Sequence, residues 1–151
     1  MVIVSAITLA IAVLGAVLGI LNTWNSINDR RVRLRVTPQW SIAPGFSGLA
    51  IEVVNLSSFA ITVTEIGLTI GPSKGTAPSR FVVLGDRIVH GREPPTRLDR
   101  RETTSLVFTT IGLEEHDIRK AYARTADGSI AYGSSGALRQ FLAENTPPRR
   151  S

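Results

Sequence analysis

Apolar and polar residues alternate along this chain in two distinct rhythms, with an abrupt change near residue 30. Residues 2–21 (VIVSAITLAIAVLGAVLGIL) carry no charge, and twelve of the twenty are Val, Ile or Leu. At 1.5 Å of rise per residue such a run makes a helix of about 30 Å, the hydrocarbon thickness of a bilayer. Each branched aliphatic residue favours insertion, and together the twelve contribute roughly −4 to −7 kcal/mol. Ser5 and Thr8 are the only polar members, and both can bond back to helix carbonyls. Trp24 follows at the position of a headgroup anchor, and Asn22, Thr23, Asn25, Ser26 and Asn28 mark the exit into water. No Lys or Arg precedes the run, and it is longer than the apolar core of a secretory signal, so the helix is expected to stay uncleaved.

The same segment carries a second pattern. Ser5, Thr8, Ala12, Gly15 and Gly19 recur with gaps of three and four, continuing through Asn22 and Ser26, and Gly15 and Gly19 form a G-x-x-x-G pair. Small residues on one seam let two helix backbones approach closely in lipid, so self-association through this face is expected.

From residue 31 onward the rhythm has period two, the signature of half-buried strands. Val32, Leu34 and Val36 are expected inward and Arg31, Arg33 and Arg35 outward, with Pro38 breaking this first strand. Leu49, Ile51 and Val53 predict a second strand. Ile61 and Val63 begin a third, but Ile66, Leu68 and Ile70 continue it in the opposite phase. A one-residue slip reverses every side chain, so a β-bulge or a bend between sheets is expected within residues 64–67. Residues 81–84 predict a fourth strand, and Leu106 with Phe108 a fifth. Residues 121–126 and 129–133 predict a hairpin turning at Asp127-Gly128. In that register Ala121, Ala123, Ile130 and Tyr132 share the core face, and Tyr122, Arg124 and Ala131 the other.

Two longer connections interrupt the pattern, residues 71–80 (GPSKGTAPSR) and 85–104. Leu138, Phe141 and Leu142, at i, i+3 and i+4, predict a short helix packed on the strands, and residues 146–151 a mobile tail. The expected organisation is therefore a membrane helix with its interfacial exit over 1–28, a β domain with a short C-terminal helix over 29–145, and the tail. Seven short strands in about 110 residues imply an antiparallel β-sandwich. The layout resembles the immunoglobulin-like domains of many bacterial and phage proteins over residues 32–133, with IEVVNLSSFAITV similar to a strand–turn–strand opening of such modules. The chain departs from antibody domains in having no cysteine, and the resemblance implies a fold but no activity.

Charge adds direction. The net charge of +5 divides into +3 over residues 1–36, −2 over 37–118 and +4 over 119–151. Arg30, Arg31, Arg33 and Arg35 lie just after the apolar run, whereas no Lys or Arg precedes it. The positive-inside bias then places the N-terminus outside and the domain in the cytoplasm, at the inner membrane. The four arginines also suit contact with anionic lipid, while Arg31, Arg33 and Arg35 double as the solvent face of the first strand. The body of the domain lacks the continuous basic face that nucleic-acid binding requires, so no nucleic-acid partner is expected.

Chemical signatures are sparse. Gly71-Pro72-Ser73-Lys74-Gly75 fits G-x-S-x-G, but no helix pattern follows the serine and the chain is too short for the large α/β sheet of a nucleophile elbow. His90 and His116 are the only histidines and stand in no ligand spacing. Asn55-Leu56-Ser57 fits a glycosylation acceptor but reads as a loop between strands. No catalytic residue, metal or cofactor is expected. These features imply a single-pass, non-catalytic module that binds a protein partner, or else a structural subunit of a virion or membrane-associated assembly.

Overall fold

The computed structural model describes residues 2–43, 46–71, 79–113 and 116–145. The chain divides into two compact units, residues 1–31 and 32–151.

The first unit is one helix, α1 (Val2–Asp29). The most apolar 18-residue window of Val4–Asp29 has a mean hydropathy of 2.6, and none of that window is buried among the described residues. A helix that is apolar all round and packed against nothing is suited to lipid rather than to a protein core. Thr8 Oγ1 donates to Val4 O (2.9 Å) and Thr23 Oγ1 to Gly19 O (2.9 Å), so these hydroxyls are satisfied within the helix itself. The helix runs two turns beyond the apolar run, carrying Trp24 on its surface. It then tightens as Arg30 N and Arg31 N donate to Ile27 O and Asn28 O, the i→i+3 pattern of a closing turn.

The second unit is mainly β, with two antiparallel sheets around one core. Strands β1 (Leu34–Ala43) and β2 (Phe46–Asn55) form a long hairpin; β3 is Ile61–Ile70, β4 Ser79–Val82, β5 Ile88–His90, β6 Thr96–Leu98, β7 Thr103–Phe108, β8 Ile118–Thr125 and β9 Ile130–Gly133. The first sheet has the order β1-β2-β7-β5. In the second, the order is β4-β3-β8-β9, with β6 beside the first residues of β3 and β4 beside the last. Leu49, Ile51, Val53, Leu106 and Phe108 of the first sheet meet Val63, Ile66, Leu68, Ala121 and Ala123 of the second, all fully buried.

The phase slip in the third strand is a register shift between Val63 and Glu65, which face Thr125 and Arg124. It keeps both Val63 and Ile66 in the core although they are an odd number of residues apart. Four expectations are corrected. Pro38 does not end β1 but sits opposite Ile51 in an unbroken ladder. β1 lies at a sheet edge, where half the N–H groups have no ladder partner and a proline is tolerated. The connection over 85–104 is not structureless: a 3₁₀ turn (Gly85–Arg87), β5 and β6 lie within it, which brings the strands to nine among the described residues instead of seven. The fourth strand also starts earlier and stops at Val82.

The fourth correction concerns the hairpin of β8 and β9. Gly128 N donates to Thr125 O and Gly128 has φ +88°, so the loop holds three residues, Ala126 to Gly128, rather than two. The extra residue moves β9 by one position. Ala123 faces Ala131 and Ala121 faces Gly133 on the core side, whereas Ile130 and Tyr132 join Tyr122 and Arg124 on the outer side. Ile130 and Tyr132 are accordingly exposed. The small residues this shift turns inward let β9 lie close to β1: a Cβ at Gly133 would collide with the backbone carbonyl of Val36.

The C-terminal helix α2 (Gly136–Asn145) starts at Ser135, whose Oγ accepts a bond from Leu138 N (3.1 Å) as a helix cap. Leu138 and Phe141 are buried in the core, and the Phe141 ring stands edge-on to Trp40 at 5.9 Å.

Candidate functional site

On α1, Ser5, Thr8, Ala12, Gly15 and Gly19 fall within an arc of about 80° at 100° per residue. Among the described residues, no atom beyond the adjoining helix residues lies within 4 Å of a Cβ placed at Gly15 or Gly19. Trp24 is 70% exposed. Arg30 and Arg31 follow the helix directly; Arg33 precedes β1 and Arg35 lies on it, exposed, in antiphase to buried Val36.

The β domain has two poles. The entry pole, where β1 begins, gathers the β2–β3 loop (residues 56–60), the β6–β7 turn (99–102) and the β8–β9 turn. Asn55, fully buried, ties the first two together. Its Nδ2 lies 2.8 Å from Phe59 O, 3.1 Å from Leu98 O and 3.1 Å from Asp99 O, two hydrogens shared among three acceptors, while its Oδ1 accepts from Ser57 N (2.9 Å). Its backbone joins in: Asn55 N donates to Glu102 O and Arg101 N to Asn55 O. The chain entering β1 is bound to the same loop. Leu56 N donates to Arg33 O, and Arg33 N donates to Ser57 Oγ (2.8 Å). With its amide nitrogen consumed and buried, Asn55 is no acceptor for a sugar in this fold. Sequence reading treated Asn55 as a loop residue; a strand-ending Asn was the only signal, and its distant partners were invisible.

At this pole the apolar side chains of Leu56 and Phe59 are exposed, 47% and 38%. The turn Asp99–Glu102 is closed by Glu102 N donating to Asp99 O, and Arg101, at its third position, has φ +62°. Glycine is the usual residue there.

The far pole carries the β1–β2 hairpin, the 3₁₀ turn and the β7–β8 connection. Ile42, Leu84 and Ile111 are exposed at 82%, 58% and 76%. Arg87 links two of these segments, its Nη1 donating to Ile111 O (2.8 Å) and its backbone N to Leu84 O.

A third cluster lies on the outer face of the second sheet. Glu65 Oε1 accepts from Arg124 Nη1 at 2.9 Å, and Glu65 Oε2 is 3.7 Å from Arg80 Nη1 and 3.5 Å from the Tyr122 hydroxyl that donates to it. Tyr122 is wholly covered, its ring lying over Gly67 with the Arg80 guanidinium 5.9 Å from its centroid. Burial, reinforced by the Glu65 charge, pushes its phenol up to about 12, so it is a neutral donor at physiological pH. The ion pairs are partly solvated and contribute little stability. The Tyr122 hydroxyl thus meets a carboxylate rather than a backbone carbonyl. In the β8–β9 turn, the hydroxyls of Thr125 and Ser129 bond to Asp127 and hold its carboxyl below the usual carboxylate range.

His90 on β5 and His116 before β8 are both exposed. No group of three or more His, Cys, Asp or Glu that could hold a metal occurs among the described residues. The serine of G-x-S-x-G, most of the 71–80 connection, Glu114, Glu115 and the segment 146–151 lie outside the described residues. Compared with known proteins, the chain matches no family model, no curated protein and no solved structure.

Proposed function

We propose that this chain is a single-pass membrane protein that presents a non-catalytic, protein-binding β-sandwich at the cytoplasmic face of an inner membrane. The observation that carries this reading is α1: apolar on every side, covered by nothing, and joined to a domain with its own complete core. Two antiparallel sheets, with the chain passing between them from β2 to β3 and from β7 to β8, support an immunoglobulin-like sandwich with added short strands. Loops supply the protein-binding surface in this reading, and the exposed Ile42, Leu84 and Ile111 at the far pole are its centre.

Orientation rests on Arg30, Arg31, Arg33 and Arg35. A fluorescent protein fused to the C-terminus is expected to be bright in bacterial cells and a C-terminal alkaline phosphatase inactive. The reverse pair of results would overturn the orientation. Recovery of the chain in large particles rather than in detergent extracts would favour the assembly-subunit reading instead.

The seam on α1 supports homo-oligomers. Gly15→Leu with Gly19→Leu places two isobutyl groups where backbones would meet, and is expected to abolish dimers trapped by crosslinking in membranes. Unchanged crosslinking would assign the seam no role.

A further inference from the structure

We propose that the entry pole of the β domain is itself a lipid-contacting surface, with Leu56 and Phe59 entering the headgroup layer of an anionic leaflet and Arg100 and Arg101 meeting its phosphates. This rests on α1 spanning the membrane. Covalent reach then limits the distance: α1 continues about 12 Å past the apolar run to Asp29, and from there to Arg33 is four residues, at most about 14 Å of extended chain. Arg33 is hydrogen-bonded through its backbone to Leu56 and Ser57, so the β2–β3 loop shares that limit. Asn55 in turn binds the β6–β7 turn to the loop.

The chemistry of the pole fits a bilayer surface. Exposed Leu and Phe flanked by arginine is the composition of segments that lie in the interface, apolar groups inward and cations at the phosphates. Three carboxylates share the pole, and each has local partners. Asp99 pairs with Arg97 at 3.6 Å, Glu102 accepts from Asp99 N at 2.6 Å, and Asp127 is bonded to the hydroxyls of its own turn. Arg100 and Arg101 are exposed and have no ion pair among the described residues. Arg101 also occupies a left-handed position where glycine is the favoured residue. That position separates function from folding: Arg101→Gly relieves the backbone while deleting the charge.

The test uses the full chain, which has no cysteine, carrying Ser58→Cys labelled with an environment-sensitive nitrobenzoxadiazole dye. It is reconstituted in nanodiscs of phosphatidylcholine alone or with phosphatidylglycerol. In the anionic discs the dye is expected to shift to the blue and to be reduced by aqueous dithionite several-fold more slowly. High salt should reverse the effect. Each arginine near a charged surface contributes about fivefold in affinity, so Arg100→Ala with Arg101→Gly should return the probe to its behaviour in neutral discs. Arg101→Gly alone should weaken the shift without lowering the melting temperature. The same dye at Ile111→Cys, on the far pole, should report no lipid dependence. Equal dye behaviour in the two lipids, or a shift insensitive to both arginines, would overturn the proposal while leaving the membrane span intact. A shift that grows with the number of chains per disc, whatever the lipid, would assign the surface to chain–chain contact and also overturn it. Failure of the chain to incorporate into discs would overturn this proposal and the membrane-span reading together.

Discussion

Replacing Ile11 and Leu14 by arginine is expected to release the protein from membranes. Both residues lie near the middle of the 2–21 run and are largely exposed on α1. Each arginine at the centre of a span costs about 2.5–3.5 kcal/mol and removes an aliphatic contribution of about 0.3–0.6 kcal/mol. Two such changes therefore offset the whole insertion free energy of roughly −4 to −7 kcal/mol carried by the aliphatic residues. The wild-type chain should resist alkaline carbonate extraction, and the double variant should move to the supernatant or to protein aggregates. Retention of the variant in the carbonate-resistant pellet at the wild-type level would mean that something other than this helix holds the protein to the membrane.

The second large effect is expected inside the β domain. Asn55→Ala removes one amide that serves the carbonyls of Phe59, Leu98 and Asp99 and the N–H of Ser57. The bonds to Leu98 O and from Ser57 N are fully buried, so no water replaces them, whereas those to Phe59 O and Asp99 O border solvent. An orphaned buried group costs about 1–3 kcal/mol, which makes a total loss of about 3 kcal/mol reasonable for the set. For a domain of this size that corresponds to a fall in melting temperature on the order of 10 °C. Asn55→Asp should do at least as much harm, because it loses the donors and buries a charge. Trp40 emission in a Trp24→Phe background reports the domain without interference from the membrane helix. A melting temperature within about 2 °C of wild type for Asn55→Ala, under 1 kcal/mol on the same scale, would show that the hydrogen-bond hub is dispensable.

Much of this fold was legible in the residues because burial writes itself into alternation. Leu49-Ile51-Val53 and the reversed phase between Val63 and Ile66 both report which side of a sheet faces the core, and the bulge follows from that reversal alone. Pro38 was misread because the cost of a missing N–H depends on whether the strand is central or at an edge, which is a property of the assembled sheet. Asp127-Gly128 suits both a two-residue and a three-residue turn; the bonds of Thr125 and Ser129 to Asp127 accompany the second, and the phase of β9 follows. β5 and β6 are three residues each, too short to show a period. The stripe of small residues on α1 and the arginines that follow the helix were visible because they are patterns within one segment. The entry pole was not, since Arg33, Asn55 and Arg101 come together only through the hydrogen bonds of three separate connections.

The approach of β9 to β1 at Gly133 has a consequence wherever copies are crowded. Proteins confined to two dimensions meet their neighbours far more often than they would in solution, and an open strand edge at that density is a template for polymerisation. β1 is the longest strand at a sheet edge, and β9 and α2 pack against it. The remaining edge segments, β4, β5 and β6, are four, three and three residues long. Copies of this domain can therefore be crowded side by side without zipping into a continuous sheet.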